Sequence, residues 1–558
     1  MSSTFDRASA LRRLAEEQFD VLVIGGGITG TGAALDAASR GLRTALVERD
    51  DFASGTSSKS SKMVHGGLRY LQNGDVRLVY EALAERQRLR RNAPHLVKIL
   101  PFLIPIFSKD GLIHPKVARA FGSAMWMYDA TGGARIGKLH KRLKPAEALE
   151  YMPTLPADRL AGAYLYYDAR ADDARLTLTV ARTAALDFDA VVANGCRVTG
   201  LLKSADGHVA GATVDGGGGP FDIRARSVVN ATGVWADDVR ALDEGSHPDS
   251  LRPAKGIHIT VPWSKVRNTI AVVVPVPKDK RSVFVVPWAD HAGEPQFTYI
   301  GTTDTDYEGS LDDPQCDRAD VEYLLNAVNG AVTSKLTEED VLGTWAGLRP
   351  LVKSATSGRT ADLSRRHRVA RSSSGLVTIT GGKLTTYREM AADTVDEVMR
   401  GLGTRTRSRT RHLQLRGAAG FDTLRSSDAA SGNDTLVHLL DRYGDEAPAV
   451  LALAEKEPGL GDPLVPGLPY LRAEAVYAAR HEMARSVDDV LSRRTRARLL
   501  ARDETATVAD EVAALLAPEL GWTDGERAAQ AAAYRATIEH ERATPDLPET
   551  ALEAVLGS

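Results

Sequence analysis

Residues 19–50 read FDVLVIGGGITGTGAALDAASRGLRTALVERD, and this stretch decides the fold. The continuous apolar run at 21–24 is typical of a buried parallel strand. The Ala-rich segment at 28–40 predicts a helix, and the run at 44–47 predicts a second strand that ends on Glu48. A strand–helix–strand unit of this kind is typical of an α/β domain with a parallel sheet.

Three glycines follow the first predicted strand, since Gly25, Gly27 and Gly30 have the G-x-G-x-x-G spacing. The first glycine permits a tight turn, the second lets a pyrophosphate approach the backbone, and the third lets the helix pack closely on the strand. The helix N-terminus then offers free N–H groups and the positive end of its dipole to the phosphates. Glu48 lies where a ribose hydroxyl is bound, and an acid there disfavours a 2′-phosphate. We expect a bound dinucleotide, NAD or FAD, because a plain glycine-rich turn would not explain Glu48.

Length, charge and cysteine content narrow the class of protein. A chain of 558 residues is too long for one hydrophobic core, which predicts two or three domains. The net charge of −3 gives no basic field, so no nucleic-acid partner is expected. Cys196 and Cys316 lie in unrelated contexts, which predicts neither a disulfide framework nor a metal site and fits a reducing cytoplasm.

Membrane insertion is not expected from the apolar runs. Residues 1–18 lack the apolar core of a signal peptide. The most membrane-like run, 96–107, is too short to span a bilayer and contains Lys98, Pro101 and Pro105. The protein is therefore expected to be soluble or to lie on a membrane surface.

Two later segments have the character of strands that end at a ligand. The runs at 227–230 and 376–380 lead into small residues around Gly233 and Gly382. Small residues are typical where a backbone passes close to a bound group. With the first strand, three strand ends that are far apart in the sequence would meet at one nucleotide. This convergence favours a large flavoprotein with resident FAD over a compact NAD domain.

Composition and periodicity divide the chain into five segments. They are an N-terminal helix or extension at 1–18, an FAD-binding domain interleaved with a substrate-binding β domain at 19–400, a linker at 401–411, a C-terminal helical domain at 412–542 and a loosely ordered tail at 543–558. The β-rich runs at 257–261 and 282–286 predict a second sheet that covers the nucleotide site. Thr523 and Glu526 have the spacing of a capping box before the last long helix.

The stretch at 54–71 combines groups suited to a phosphate and a flat ring. Its hydroxyls can satisfy phosphate oxygens, and Gly66–Gly67 permits a planar ring to lie against the backbone. His65, Arg69 and Tyr70 add a titratable group, a fixed cation and a phenol. The same composition is compatible with a Ser-rich loop before a helix.

Two further cations lie in glycine-rich turns. Arg349 precedes a proline, which holds it in an extended conformation, and Lys383 lies where a strand turns into a helix. With Arg69 they could together hold a doubly charged phosphate, because arginine supplies a bidentate fork and lysine a point charge. Each cation taken alone is equally typical of an exposed surface.

These motifs resemble those of the FAD-dependent glycerol-3-phosphate dehydrogenases of the aerobic bacterial and mitochondrial type. The resemblance extends from about residue 20 to residue 392 in the family order. The segments that carry it include GGGITGTG at 25–32, GTSSKSSKMVHGGLRYL at 55–71, NATGVWADDV at 230–239, GLRPL at 347–351 and TGGKLTTYREMA at 380–391.

The resemblance implies a D-amino-acid-oxidase-like fold, with a Rossmann-like FAD-binding domain, a β-sheet substrate domain and a C-terminal all-α cap. It implies oxidation of sn-glycerol 3-phosphate to dihydroxyacetone phosphate, with electrons passed through FAD to a membrane quinone, menaquinone or ubiquinone. A glycerol-3-phosphate oxidase that uses oxygen shares the motifs. An amine oxidase of the same fold and a flavin-binding sensor or scaffold are more distant alternatives. A peripheral location on the inner face of the cell membrane and a homodimer are further expectations.

The resemblance also implies roles for individual residues. The FAD-binding positions are Gly25, Gly27, Gly30, Glu48, Thr56, Ser57, Ser61, Lys62, Gly66, Gly67, Gly233, Gly382 and Thr385. The substrate-binding positions are Arg69, Tyr70, Arg349, Arg365 and Lys383. The catalytic candidates are His65, His258 and Arg349. The general base stays open between the two histidines, and Arg349 could instead stabilise an alkoxide.

A membrane-contact surface is a separate hypothesis. The segment at 116–128 combines cations with Phe, Trp, Met and Tyr, and a basic cluster follows it at Lys138, His140, Lys141, Arg142 and Lys144. This combination is typical of an interfacial patch on anionic lipid. A helix packed in the core and followed by a basic loop is the alternative.

Overall fold

The strand–helix–strand unit predicted at the start of the domain is present. In the computed structural model, which describes residues 5–67, 75–109, 111–112, 118–276, 281–288, 295–353 and 367–556, this unit is Gln18–Ile24, Ile28–Ser39 and Thr44–Val47. The two strands are parallel neighbours, with Val21 opposite Thr44. Their apolar residues are buried, because Ile28–Ser39 packs on one face of the sheet and Arg7–Glu16 and Val209–Asp215 pack on the other.

This unit lies in an eight-stranded sheet, which we call the nucleotide sheet. Its spatial order is Arg368–Arg371, Val377–Thr380, Pro220–Asn230, Gln18–Ile24, Thr44–Val47 and Val191–Ala193, with Arg197–Lys203 and Val209–Asp215 as a flanking pair. Gln18–Ile24, Pro220–Asn230 and Val377–Thr380 are parallel neighbours, so their carboxyl ends lie side by side. The predicted convergence of three distant strand ends is thus confirmed.

Small residues let three helices pack closely on the nucleotide sheet. Ile28–Ser39 packs between Asp173–Phe188 and Tyr387–Gly401. A Cβ atom on Gly32 would lie 2.8 Å from the ring of Tyr387, so this position has no room for a side chain. The Ala- and Gly-rich composition of the first helix is therefore a packing requirement as well as a helix preference.

A second, ten-stranded sheet covers the carboxyl ends of the first, as predicted. Its order is Thr305–Asp306, Leu251–Pro262, Phe297–Gly301, Ser282–Trp288, Ala271–Pro275, Val97–Phe107, Leu160–Ala171 and Met63–Val64, with Gly343–Val352 on Leu251–Pro262 and Lys141–Leu143 on Leu160–Ala171. The β-rich runs at 257–261 and 282–286 lie in its central strands. The remaining helices of this part are Arg7–Glu16, Val76–Asn92, Ala118–Ala130, Pro145–Tyr151, Ala236–Glu244, Trp263–Val266 and Arg318–Asn329.

The chain is helical beyond residue 411. Its helices there are Phe421–Arg425, Asp434–Tyr443, Ala447–Lys456, Arg472–Glu482, Ala497–Leu500, Arg502–Thr507, Ala509–Leu520, Asp524–Ala543 and Leu552–Leu556, with a π-helical turn at Asp489–Arg494. The capping box is present, because Glu526 N–H donates to Thr523 Oγ1 and Thr523 N–H donates to Glu526. The predicted α/β class with a second sheet and an all-α C-terminal part is confirmed.

The predicted linker and tail pack more tightly than their polar composition indicates. In the stretch 401–411, Thr410 Oγ1 donates to the buried carboxylate of Asp36 at 3.2 Å, and Arg40 donates to the Thr406 carbonyl at 2.9 Å. In the tail, Leu547 and Leu552 are buried. Isolated apolar residues and polar pairs of this kind give no periodic pattern, so sequence reasoning missed them.

The described residues contain no helix that is both long enough and apolar enough to cross a bilayer.

Candidate active site

A cavity of about 370 Å³ opens where the three parallel strands of the nucleotide sheet end. Its walls include the turns after all three strands and the loop after Thr44–Val47. Of the predicted site residues, it is lined by Gly25, Gly27, Glu48, Thr56, Ser57, Gly233, Gly382 and Lys383. The crevice beyond the carboxyl ends of parallel strands is where α/β sheets bind nucleotides.

The glycine motif has the geometry that each position requires. Gly25 has φ +112°, and a Cβ there would lie 2.7 Å from the carbonyl oxygen of Ala231. A Cβ on Gly30 would overlap the carbonyl oxygen of Gly25, so the helix can pack on the strand end only without a side chain. Gly27 precedes the helix, and the Ile28 N–H donates to Ser57 Oγ at 2.9 Å. At the helix N-terminus, the cavity is therefore bordered by the backbone of Gly27 and the hydroxyl of Ser57.

Glu48 is fixed at the end of Thr44–Val47 by two backbone donors. Its carboxylate accepts from the N–H of Gly26 at 2.6 Å and from the N–H of Asp50 at 2.8 Å. Burial raises the pKa of Glu48 to about 7, although these hydrogen bonds oppose the rise. The carboxyl group is thus held at the cavity wall, where it can accept a hydrogen bond from a ribose.

A second cavity of about 240 Å³ adjoins the first. The two share a wall made of Thr56, Pro350, Gly381, Gly382, Lys383 and Leu384. The second cavity brings together the predicted residues Ser61, His65, His258, Arg349 and Thr385. Three of its described lining residues, Lys59, Arg349 and Lys383, carry positive charge, and none of its described lining residues is acidic. Its walls therefore suit an anion.

Arg349 lies on Gly343–Val352 and is held by the turn at 302–304. Its guanidinium donates to Thr302 Oγ1 at 3.1 Å and to the Thr303 carbonyl at 3.2 Å, and it pairs with Asp304 at 3.3 Å. On the neighbouring strand, a Cβ on Gly256 would lie 2.5 Å from the guanidinium. The bare glycine therefore leaves the room that the arginine occupies.

His258 is a buried, neutral imidazole. Its Nε2 lies 2.8 Å from Ser61 Oγ, and its ring stacks on Trp345 with a centroid distance of 4.7 Å. Burial lowers the pKa of His258 well below its usual value, and the charges of Lys62 and Arg349 lower it further. Its Nδ1 is buried and has no hydrogen-bond partner within the described ranges.

His65 lies in a more open position than His258. It follows Met63–Val64, and its backbone N–H donates to Thr385 Oγ1 at 3.1 Å. Thr385 belongs to the turn that leads into Tyr387–Gly401, and a Cβ on Gly382 would overlap the sulfur of Met390. The two glycine-rich segments, far apart in the sequence, thus meet at one wall.

Several predicted residues lie elsewhere. The ammonium of Lys62 donates to Asp173 and to the Ser58 carbonyl, each at 3.0 Å, and Lys62 lines neither cavity. Gly66 and Gly67 also lie outside both walls, and a Cβ on Gly66 would meet the side chain of Leu83 at 2.5 Å. Lys62 differs from the prediction because a buried carboxylate, Asp173, offers its ammonium a stronger partner than a phosphate-facing loop. Arg69, Tyr70 and Arg365 lie outside the described residues.

Sequence reasoning missed the aromatic wall beside His258. Trp345 is the direct cross-strand partner of His258, and its indole N–H donates to the Ser60 carbonyl at 3.3 Å. Phe284, on Ser282–Trp288, lines the second cavity, as His258 does. Trp345 precedes Arg349 by four residues, so the sequence places an aromatic side chain near the site. Its contact with His258 depends on the register of the two strands, which the sequence does not give.

Comparison with known families gives two matches. The family described as DAO, FAD dependent oxidoreductase, matches residues 20–388. The C-terminal domain of alpha-glycerophosphate oxidase matches residues 408–527. The two matches fall on the two-sheet part and the helical part of the structure.

Curated relatives match over almost the whole chain. Glycerol-3-phosphate dehydrogenase 2 of Mycobacterium tuberculosis is 42% identical, with 97% of this chain and 92% of that protein covered. The mitochondrial glycerol-3-phosphate dehydrogenase of Mus musculus is 38% identical, with 91% of this chain and 71% of that protein covered. The solved structure of glycerol-3-phosphate dehydrogenase from Bacillus halodurans, complexed with FAD, is 31% identical with a TM-score of 0.76, covering 100% of this chain and 99% of that one. The chain therefore belongs to the family of glycerol-3-phosphate dehydrogenases that contain FAD.

Proposed function

We propose that this protein oxidises sn-glycerol 3-phosphate to dihydroxyacetone phosphate with FAD, and passes the electrons to a membrane quinone. The observation that carries the proposal is the second cavity, where cations and two imidazoles line a space that adjoins the nucleotide cavity. The names of the relatives support the substrate. An amine oxidase is less well supported, because no acidic residue among the described lining residues could pair with a substrate ammonium.

FAD fits the residues of the first cavity. Gly25, Gly27 and Ser57 would hold its pyrophosphate at the helix N-terminus, and Glu48 its ribose. The shared wall at Gly382 would bring the isoalloxazine ring to the second cavity. When bound, FAD supplies the two-electron acceptor for the C2 hydrogen of the substrate.

The substrate phosphate would be bound by the cations of the second cavity. Arg349 presents a planar fork that is already oriented by Thr302 and Asp304, and Lys383 adds a point charge on the shared wall. Fixing the phosphate would orient C2 toward the cofactor end of the cavity, which lowers the barrier by positioning.

We assign the two histidines different parts in the removal of the hydroxyl proton. The lowered pKa of His258 keeps it neutral, so it can orient a hydroxyl through its ring or through Ser61 but holds a proton poorly. His65 lines the same cavity and is only partly buried, so it can take the proton and release it to water. His65 is therefore the better candidate for the general base.

Replacing His65 by glutamine should lower kcat by about a hundredfold, because a positioned base contributes a factor of this order. The dissociation constant for substrate should change little, since the phosphate cations are untouched. Steady-state assays with a quinone analogue measure kcat, and the dependence of the anaerobic flavin reduction rate on substrate concentration gives the dissociation constant. The exposed His208→Gln variant is the control, and an unchanged kcat in His65→Gln would remove the assignment.

An anaerobic titration tests the function itself. Adding sn-glycerol 3-phosphate to the FAD-loaded protein should bleach the long-wavelength flavin absorption band, whereas glycerol should not. An unchanged spectrum would instead favour a flavin-binding sensor or scaffold. After reduction, a soluble ubiquinone or menaquinone analogue should reoxidise the protein faster than oxygen does. Stoichiometric hydrogen peroxide would favour the oxidase alternative.

We further propose that the helix Ala118–Ala130 and the basic loop after it contact the membrane from the inner face of the cell. Met125 and Tyr128 are buried, whereas Trp126 is 61% and Met127 45% exposed. Leu139 is 48% exposed, and the segment after the helix, which includes the strand Lys141–Leu143, adds exposed cations at Arg135, Lys138, Lys141, Arg142 and Lys144. Exposed aromatic and apolar side chains beside cations are typical of interfacial contact with anionic lipid.

The family resemblance also implies a homodimer, and this stays a prediction.

Reversing Lys138, Lys141, Arg142 and Lys144 to glutamate should abolish flotation with anionic liposomes. Each cation near such a surface contributes about 1 kcal/mol, so reversal of four is a large loss. The matched control reverses four exposed cations elsewhere, Lys335, Arg405, Arg407 and Lys456. Equal flotation of the two variants would contradict the proposed surface.

A further inference from the structure

The C-terminal helical part contributes buried arginines to the FAD-binding part. They lie around the π-helical turn Asp489–Arg494 and just after it. Arg494 and Arg496 are each 1% exposed. Guanidinium groups so deeply buried require well-formed partners, because an unpaired buried charge is strongly unfavourable. Two of their partners, Asp51 and Ser58, lie in the loop that follows Thr44–Val47.

The first contact is a bidentate pair between Arg494 and Asp51. The guanidinium donates to the two carboxylate oxygens at 2.8 and 2.9 Å, and Arg493 Nε donates to Asp51 at 2.6 Å. Burial alone would raise the pKa of Asp51, but Arg494 and Arg493 lower it to about 2. Asp51 follows Glu48 by three residues and precedes the cavity-lining segment at 54–57. The ion pair therefore fixes the loop between Glu48 and the segment at 54–57, both of which line the first cavity.

The second contact holds the same loop further along. Arg496 donates to the Ser58 carbonyl at 2.7 Å and to Asp173 at 2.6 Å. Ser58 follows Thr56 and Ser57, which line the first cavity, and precedes Ser61, which contacts His258. A shift of this carbonyl would therefore move walls of both cavities.

The third contact reaches the strand of Arg349. The N–H and Oγ1 of Thr344 donate to Glu541 at 3.0 and 3.1 Å, and Arg498 Nε donates to the same carboxylate at 2.8 Å. Thr344 is adjacent to Trp345, which stacks on His258. The helical part thus touches the nucleotide loop through Arg494 and Arg496 and the strand of Arg349 through Glu541, which Arg498 holds in place.

We infer that Arg494 and Arg496 are positioning residues, which hold the loop at 51–61 in the shape that binds FAD. They touch neither cavity themselves, so they act through Asp51 and Ser58. This gives the C-terminal part a role in the site in addition to any role in assembly. The inference is tested by FAD affinity, which is measured without substrate. It can therefore fail while the proposed oxidation of sn-glycerol 3-phosphate stands, and the reverse also holds.

The test compares buried arginines that do and do not contact the loop. Arg494→Met and Arg496→Met should raise the FAD dissociation constant about tenfold to a hundredfold, which is typical when a residue that holds a binding group in place is removed. Arg502→Met is the matched control. Arg502 is 0% exposed, but its side chain pairs with Asp503 and the Pro548 carbonyl within the helical part. This control should lose global stability while its FAD affinity stays within about twofold of wild type when measured below its unfolding temperature.

A charge-conserving variant guards against simple misfolding. Arg494→Lys retains the positive charge beside Asp51 but loses the fork, so it should fold and still bind FAD more weakly than wild type. Fluorescence titration of the FAD-free protein measures affinity, and circular dichroism measures folding. Wild-type affinity in Arg494→Lys and Arg496→Met, or an equal loss in Arg502→Met, would overturn the inference.

Discussion

Replacing Gly30 by alanine should leave the protein without FAD. The new Cβ would overlap the carbonyl oxygen of Gly25, and neither backbone can move without separating the helix from the strand end. Overpacking of this kind costs about 3 kcal/mol, and the same loss in binding weakens affinity by about a hundredfold. The measurement is the ratio of flavin absorbance to protein absorbance in purified samples, followed by titration with added FAD.

The control for this variant is Gly200→Ala. Gly200 lies on Arg197–Lys203 of the nucleotide sheet, and a Cβ there would meet no atom within 4 Å. It should retain FAD at the wild-type level. Full FAD occupancy in Gly30→Ala would show that the close approach of helix and strand is not needed, and would remove the geometric argument for the motif.

The parts of the site that were predictable are those set by local chemistry. The turn at Gly25–Gly30 is indicated by a glycine spacing that lies within six residues, and small residues at Gly233 and Gly382 indicate where a backbone passes a ligand. Arg349 lies in a short motif in which the proline that follows it restricts its backbone to an extended conformation. Each of these patterns lies within a few consecutive residues, so it can be recognised in a single sequence.

The parts that were not predictable depend on partners far away in the chain. Lys62 stands among hydroxyls in the sequence, yet its ammonium pairs with Asp173. The run around Arg494 and Arg496 is polar and basic, which in sequence is typical of an exposed surface. Only the tertiary fold brings it to Asp51 and Ser58, where the carboxylate and carbonyl make burial favourable. Polar contacts between distant segments leave no periodic pattern.

Replacing Arg349 by methionine should weaken the binding of sn-glycerol 3-phosphate by at least about thirtyfold. A buried charge-assisted pair that loses one partner costs about 2–5 kcal/mol, and Arg349 supplies the fork of the second cavity. FAD binding should be unaffected, because Arg349 does not line the first cavity. In anaerobic stopped-flow experiments, the dependence of the flavin reduction rate on substrate concentration gives the substrate dissociation constant, and the flavin spectrum before mixing gives the FAD content.

Two further variants locate this effect at the phosphate. Arg349→Lys keeps the charge and loses the fork, so it should restore part of the affinity. Arg252→Met removes an arginine from the adjacent strand whose partner is Asp306 and which lines neither cavity, so it should bind substrate normally. If Arg349→Met bound substrate as tightly as Arg252→Met, the phosphate would have to be held elsewhere. Reduced FAD content in Arg349→Met would instead mean that the arginine supports the fold of the shared wall, and that the loss of substrate binding is secondary.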